Sequence, residues 1–271
     1  MQEWQRDIAS LKDFFQLPQI GYIFASMAAG FTPSKLFADD KNDPSFSLAW
    51  DRGNCFFFAG EIDNISEARR TIEFFKTEIL KEEIRSELGV AKLYYPSDNW
   101  EGALVENLKE YKPLVLERVL YKHNLHNIPG NWQGKVRIKE IDENLVGNPT
   151  IGNLELVTQE IGGMWGTVDR FLENGFGTCA LEENEIICWC TAEYLSQGFC
   201  GIGIETIEER QNKGIATATT LAFLNKCSQL GLHPYWDCWK NNIPSVRVAE
   251  KTGFEKVVDY RIVLLDFSAE E

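Results

Sequence analysis

The feature that most restricts the fold is a strand, a turn, a helix and a second strand in unbroken succession. The stretch "FCGIGIETI" has the composition of a strand, and "EERQNKG" after it is polar and charged up to Gly214. A run of helix formers follows, "IATATTLAFLNKCSQL", with Gly231 where a helix C-terminus is expected. The apolar stretch "PYWDCW" is the second strand. A helix that joins two strands in this way predicts an α/β or α+β fold.

The rest of the second half supplies further strands. "KVRIKEID" predicts a strand, two helical segments follow up to "WGTVDRFLENG", and "GFGTCAL" with "EIICWCTAEYL" predicts a hairpin. Beyond "PYWDCW", "NIPSVRVAEKTG" predicts a short helix. The last two segments, "FEKVVDY" and "RIVLLDF", predict a hairpin that closes the sheet.

The first half shows a weaker alternation of strands and helices. Residues 1–30 have helical character, residues 32–45 form a polar loop with prolines, and "CFFFAG" predicts a buried strand. Asn64 with Glu67 is a capping pattern for a helix, and "AKLYYP", a further helix and "PLVLERVLY" complete this half. Because the segment around residue 130 lacks periodicity, we place a domain boundary there, giving domains 1–130 and 131–271.

Net charge and cysteine use restrict the partners. The formal net charge of −14 argues against nucleic acid or an anionic membrane as the main partner. It fits a cationic or amine substrate, or serves only solubility. Seven scattered cysteines are more typical of buried reduced thiols than of a zinc site. No metal is expected, because the C-x-C pair at residues 188–190 has no second pair. Without an apolar signal region or a long apolar run, the chain is expected to be cytoplasmic.

The turn before the long helix predicts an anion site. The first N–H groups of a helix lack partners, and its aligned peptide dipoles leave partial positive charge there. Gly214 removes the Cβ that would block close approach, and Ala216 keeps the next position small. A P-loop is absent, and "GIG" within the preceding strand lacks the third glycine of a dinucleotide-binding fingerprint. A plain strand-to-helix turn is the simpler alternative.

Two motifs at matching distance resemble the GNAT superfamily of N-acetyltransferases. "QNKGIA" is similar to its Q/R-x-x-G-x-G/A pyrophosphate signature, and "NNIPSVRVAEKTGF" resembles its N-x-x-S/A and E-K-x-G-F segment. The resemblance covers residues from about 135 to 271. It implies a fold with a mixed, mostly antiparallel sheet whose fourth and fifth strands splay apart to admit acetyl-CoA, which donates an acetyl group to an amine.

The resemblance also implies the residues that hold acetyl-CoA. The turn would bind the pyrophosphate, and the strand before it would pair with the pantetheine arm and hold the thioester carbonyl. Asn242 would contact the arm, cap the following helix, or do both. The implied cofactor-binding residues are Ile204, Glu205, Thr206, Gln211, Asn212, Lys213, Gly214, Ile215, Ala216, Thr217, Asn242 and Ser245.

The proton-transfer groups are less defined by the motifs. An ammonium must lose a proton before it attacks, and Asp237 on the fifth strand is the first candidate base, with Glu205 and Glu193 as competitors. The alternative for each of the three is a carboxylate at the rim of the site or in a salt bridge. Ala249 stands where many members carry the tyrosine that protonates the leaving thiolate. Water, no acid at all, or another tyrosine takes that role; the tyrosine candidates are Tyr194, Tyr235 and Tyr260.

The first half resembles a smaller, degenerate GNAT-like α/β unit. Glu61, Asp63 and Glu67 stand where its phosphate turn should be and would repel a pyrophosphate. Such a half would shape the acceptor groove or form a pseudo-symmetric or homodimer interface. A catalytically silent acyl-CoA-binding module and a purely structural protein are the rival functions.

Two further groups of side chains receive expectations from the sequence alone. His123 and His126 are expected in a solvated linker. The tryptophans are expected in the core, with two of them also flanking an acceptor pocket at the splay. The tryptophans are Trp165 and Trp189, and the two at the splay are Trp236 and Trp239.

Overall fold

The computed structural model describes residues 1–130 and 136–268. Its contacts divide the chain into two compact units, one formed by Met1–Arg118 with Tyr260–Glu271 and the other by Val119–Asp259. The predicted division between residues 130 and 131 lies at the edge of residues 131–135, which are outside the described part of the chain. It stays a prediction, and the compact units change over at a different point.

The first unit is a sheet with helices on a strongly aromatic core. Its strands follow the order β1, β2, β3, β4, β5 and β12, with β4 parallel to β5 and the other recorded pairs antiparallel. Its elements are β1 (Gln2–Glu3), α1 (Pro18–Ala28), β2 (Lys35–Ala38), β3 (Ser47–Trp50), β4 (Cys55–Ala59), α2 (Ile65–Phe74), α3 (Glu82–Leu88), β5 (Val90–Tyr94), α4 (Asp98–Asn107), the start of β6 (Leu114–His123) and the end of β12 (Phe254–Asp266).

The second unit contains the predicted succession of strand, turn, helix and strand around Gly214. Its strands follow the order β6, β11, β10, β9, β8 and β7, and β10 is parallel to β11. Its elements, besides the end of β6 and the start of β12, are β7 (Arg137–Glu140), α5 (Glu143–Val146), α6 (Leu154–Trp165), α7 (Val168–Asn174), β8 (Gly177–Glu182), β9 (Glu185–Ser196), β10 (Phe199–Thr206), α8 (Ile215–Leu230), β11 (His233–Trp239) and α9 (Ile243–Lys251).

Each unit takes one strand from the other half of the chain. In the first unit β5 pairs with the end of β12, where Val263 lies opposite Leu93. Val263 and Leu265 are fully buried in the aromatic core of that unit. In the second unit β6 lies next to β11. The C-terminal strand therefore completes the N-terminal fold, so the compact units are not consecutive pieces of sequence.

Three local predictions are wrong. Residues 1–30 contain a helix only from Pro18, after a short strand and a 3-10 turn over Ile8–Phe15. The predicted polar loop at 32–45 contains β2, which becomes a strand because it pairs with β3, as Leu36 does with Ala49. The predicted C-terminal hairpin is the single strand β12, since no glycine, proline or asparagine interrupts it.

His123 is also placed differently from the prediction. It lies on β6 with 4% of its surface exposed, and its Nε2 is 3.0 Å from the carbonyl oxygen of Thr252. Burial lowers the pKa of its imidazole. His126 is exposed, as the linker prediction expected, but His123 is a core residue of the second unit.

The remaining strand and helix predictions are confirmed, except that three helices, α5, α6 and α7, lie where two helical segments were predicted. Asn64 caps α2 by accepting a hydrogen bond from the Ser66 N–H, and α3 ends at Gly89 with φ of 63°. Helix α8 ends at Gly231 in the left-handed conformation. No helix in the described part of the chain is long and apolar enough to cross a membrane.

Candidate functional site

Strands β10 and β11 open into a wedge within the second unit. They pair only from Phe199 opposite His233 to Gly201 opposite Tyr235, while β10 continues to Thr206. Strand β10 stays paired with β9 along this whole length. At about 3.3 Å per residue, the stretch of β10 without a β11 partner is about 16 Å long. Its free edge can accept an extended ligand that adds to the sheet like a strand.

The wedge leads to the turn that begins α8. Asn212 and Gly214 both have left-handed backbone conformations, with φ of 60° and 77°. Residues 211–214 are exposed, and no described side chain caps the helix. The Gln211 side chain donates to the Thr206 carbonyl, and the Lys213 ammonium donates to the Glu209 carbonyl at 3.0 Å. The first N–H groups of α8 are therefore open to an anion, and the dipole of a sixteen-residue helix supports it.

Helix α8 is held firmly under this turn. Its first residue, Ile215, is buried against Ile187 and Cys188 on the sheet. The buried Thr178 hydroxyl on β8 donates to the Thr219 carbonyl at 3.0 Å. The N-terminus of the helix consequently has a fixed position relative to β10, as an anion site requires.

The second motif serves to start α9. The Asn242 side chain accepts a hydrogen bond from the Ser245 N–H at 3.2 Å, and Pro244 occupies the first turn. The Ser245 hydroxyl accepts from the Trp236 indole N–H at 3.0 Å. Asn242 is thus an N-cap, the alternative that the sequence left open. A contact between Asn242 and a cofactor stays a prediction.

One face of the wedge carries the candidate bases. Tyr235 lies opposite Gly201, so alternation puts Asp237 on the same face of β11 and Glu205 on the same face of β10. Glu205 is exposed, yet surrounding protein atoms reduce its hydration and raise the pKa of its carboxyl. Glu193 on β9 lies across the backbone of Gly203. All three acids named from the sequence are therefore on this face.

A fourth acid, Glu160 on α6, was not predicted from the sequence. Its carboxylate accepts the indole N–H of Trp189 at 2.7 Å. Loss of hydration raises the pKa of Glu160, the charge of Glu205 raises it further, and the Trp189 hydrogen bond opposes both effects. Glu160 directly precedes the buried Ile161, and a lone acid at the edge of an apolar helix stripe gives no stronger signal in a sequence.

Helix α6 is fixed on β9 along its length by hydrogen bonds. The Asn153 amide donates to the Ile186 carbonyl at 2.9 Å, and the Trp165 indole donates to the Ala192 carbonyl at 2.9 Å. A cavity of about 620 Å³ opens between this helix and the end of β10. Its wall is acidic and contains one aromatic ring; the lining residues are Asn153, Leu156, Glu185, Trp189, Glu205, Thr206, Ile207, Glu208 and Glu209.

The tryptophans and tyrosines named from the sequence differ in their positions relative to the wedge. Trp236 has 2% of its surface exposed and bonds to α9, so it does not line the candidate acceptor face, whereas Trp189 does line the cavity. Tyr260 belongs to the first unit, where its hydroxyl accepts from Arg118 at 3.2 Å. Tyr194 and Tyr235 are the candidates for a proton donor that lie in the second unit beside the wedge.

The corresponding turn of the first unit is closed by its own side chains. Asn64 Oδ1 accepts from the Ser66 N–H at 3.1 Å, and Glu67 accepts from the Asp63 N–H at 2.9 Å. This capping box occupies the start of α2 and places a carboxylate where a phosphate would need donors. The first unit thus repeats the strand, helix and strand plan without an open anion site at this turn.

Two splayed parallel strands joined by an uncapped helix form the arrangement that the two motifs imply for an N-acetyltransferase. The chain belongs to the GNAT acetyltransferase family, whose family model, described as "GNAT acetyltransferase", matches residues 12–263.

Proteins similar to this chain match it over almost its full length. A Bacillus subtilis (strain 168) protein named "Uncharacterized N-acetyltransferase YdfB" is 26% identical over 269 residues, which cover 95% of each chain. A GCN5-related N-acetyltransferase-like protein from Streptococcus suis 89/1591 superposes with a TM-score of 0.68 at 19% identity, over 95% of this chain and 97% of that one. A tandem GNAT protein from the clavulanic acid biosynthesis pathway has a TM-score of 0.54 at 10% identity, over 95% and 94% of the two chains. The latter two likenesses establish the fold alone.

Proposed function

We propose that this protein is an acetyl-CoA-dependent N-acetyltransferase that acts on a primary amine by direct attack. The observation that carries the proposal is the wedge between β10 and β11, which leads directly to the uncapped start of α8. Such an arrangement can hold an extended thioester arm by the edge of a strand and a pyrophosphate by a helix terminus.

The residues that would hold acetyl-CoA follow from this geometry. Ile204 and Thr206 have backbone groups at the open edge of β10, and Gln211 through Thr217 form the turn. A backbone N–H at Ile204 would donate to the thioester carbonyl, so that it stabilises the oxyanion formed during attack. When bound, acetyl-CoA supplies the activated acetyl group.

The acidic face supports an amine acceptor. Glu205, Glu208 and Glu209 line the cavity beside the end of β10, and a positively charged amine is attracted to such a surface. A carboxylate must then take a proton from the ammonium, since only the neutral amine is a nucleophile. Asp237 and Glu205 are the bases proposed from the sequence.

The test measures thiol release from acetyl-CoA with spermidine, kanamycin and a lysine-containing peptide. We expect amine-dependent release and a product heavier by one acetyl group. The rival, a silent acyl-CoA-binding module, predicts thermal stabilisation by acetyl-CoA without thiol release. A structural protein predicts neither, whereas binding at one hundred times the dissociation constant stabilises the fold by about 2.7 kcal/mol.

A further inference from the structure

The carboxylate of Glu193 lies directly over the backbone of the wedge. A Cβ added to Gly203 would overlap Glu193 Oε1, and it would lie 2.8 Å from the Glu193 carboxyl carbon and 3.1 Å from Thr191 Oγ1. Any residue other than glycine at position 203 would force this carboxylate away. The glycine therefore makes the room in which the acid sits.

A β-bulge stands next to Glu193. Gly201 pairs with Glu193 and Phe199 with Ser196, so two residues of β9 stand opposite the single residue between them on β10. Within this bulge Tyr194 has a φ of 42°, an unfavourable conformation for a bulky side chain. Bulges redirect neighbouring side chains and are frequent beside active sites. The strain lies at the residue after Glu193, where a functional constraint would place it.

The position of Glu193 can be compared with that of the reacting group, and this step rests on the proposed function. Strand β10 runs from the closed end of the wedge at Gly201 toward the turn at Gly214. The thioester is the end of the pantetheine arm farthest from the pyrophosphate. It would therefore lie toward the closed end, near Gly203 and Ile204.

The other acids are less well placed for this position. Glu205 lies two residues beyond Gly203 in the direction of the turn, a distance of about 7 Å along the strand. Asp237 stands on β11, beyond its last pair with β10, where the two strands diverge. Glu193 stands on β9, on the other side of β10 from β11, where its pairing with Gly201 fixes its backbone and its carboxylate reaches across Gly203.

We propose that the Glu193 carboxylate accepts the proton of the acceptor ammonium and that Gly203 is the residue that makes this placement possible. One proton passes from the ammonium to Glu193, and the neutral nitrogen then attacks the thioester carbonyl. The N–C bond forms, the C–S bond breaks, and the second nitrogen proton goes to the leaving thiolate. Glu193 finally returns its proton to water, so the products are the amide, CoA thiol and one released proton.

The experiment compares two kinds of nucleophile in wild type and in Glu193→Gln. An alkylamine such as spermidine, kanamycin or the lysine peptide is protonated at pH 7, whereas hydroxylamine is already neutral. Removal of a general base typically costs 10²- to 10⁴-fold. We expect kcat for the alkylamine to fall at least about 100-fold, hydroxylamine turnover to fall less than about tenfold, and stabilisation by acetyl-CoA to stay unchanged. Alkylamine turnover should recover as the pH approaches the amine pKa of about 10.

Two variants complete the design. Gly203→Ala should reproduce the loss of alkylamine turnover while it retains the Glu193 side chain, because the new methyl group displaces the carboxylate. Glu173→Gln, at an exposed position of α7, removes an acid from the same unit and should leave all rates unchanged.

Any other outcome would contradict the role of Glu193, the transferase function or the cofactor site. Full alkylamine activity in Glu193→Gln, or an equal loss with both nucleophiles, would overturn the role of Glu193. Loss in Asp237→Asn or Glu205→Gln with an active Glu193→Gln variant would assign the base elsewhere. Wild type that binds acetyl-CoA yet acetylates none of the nucleophiles would reject the transferase function itself, and absence of binding would reject the cofactor site.

Discussion

Gly214 is the residue on which the proposed cofactor site depends most directly. Its φ of 77° suits glycine, and its position at the start of α8 lets a phosphate approach the backbone. We predict that Gly214→Leu abolishes the thermal stabilisation that acetyl-CoA gives, while the unliganded fold loses about 1 to 2 kcal/mol.

Gly231 offers a matched control for that substitution. It caps the other end of α8 with a φ of 66° and has no atom within 4 Å of an added Cβ. Gly231→Leu should bring a similar backbone cost but keep the response to acetyl-CoA. If acetyl-CoA stabilised the two variants equally, the assignment of the turn at Gly214 as the pyrophosphate site would be wrong.

Glu160 is predicted to cost stability at neutral pH. Its folded-state pKa is raised above the ordinary glutamate value of 4.5, so the folded protein binds more protons than the unfolded chain just above pH 4.5. The cost is therefore complete above the folded pKa and absent below pH 4.5. Glu160→Gln, which can still accept the Trp189 hydrogen bond, should raise the melting temperature at pH 7 by on the order of a few degrees.

The pH dependence separates this effect from a general surface effect. The gain of Glu160→Gln should shrink as the pH falls toward 4.5, whereas Glu173→Gln should show no such trend. A lower melting temperature in Glu160→Gln at pH 7 would contradict the argument.

At the scale of elements, α2 and α8 occupy corresponding positions but differ at their first turns. Asn64 caps α2, and α8 has no described side-chain cap. We predict that Asn64→Ala destabilises the protein by about 0.5 to 2 kcal/mol, as loss of an N-cap does, and leaves the acetyl-CoA response intact. Denaturant unfolding with and without acetyl-CoA measures both. Loss of the acetyl-CoA response in this variant would indicate that acetyl-CoA binds at α2 and not at α8.

Elements were predictable where their own sequence carries the period. Helix α8 and its two strands combine strong local patterns with glycines at both helix ends. Strand β2 could not be predicted, because the four residues of "KLFA" form a strand only through their pairing with β3. Glu160 was missed for a similar reason, since its significance arises from the tertiary contact with Trp189.

At the scale of the whole molecule, the compact units do not follow the sequence because β12, the last strand of the chain, completes the sheet of the first unit. The sequence patterns predict two related halves, and one solved structure of similar fold is a tandem GNAT protein. Exchange of the closing strands leaves no trace in periodicity, because a strand has the same pattern whichever sheet it completes. Val263 and Leu265 are apolar because they are buried in a core, and their sequence does not show to which unit that core belongs.

The most direct test of the central claim is hydrogen–deuterium exchange with and without acetyl-CoA. The account predicts protection of the backbone N–H groups of residues 204–206 and 211–217, because the arm pairs with β10 and the pyrophosphate binds the start of α8. The turn at residues 60–67 should exchange equally in both states. Protection of residues 60–67 with none at residues 211–217, or no protection in either turn under saturating acetyl-CoA, would contradict it.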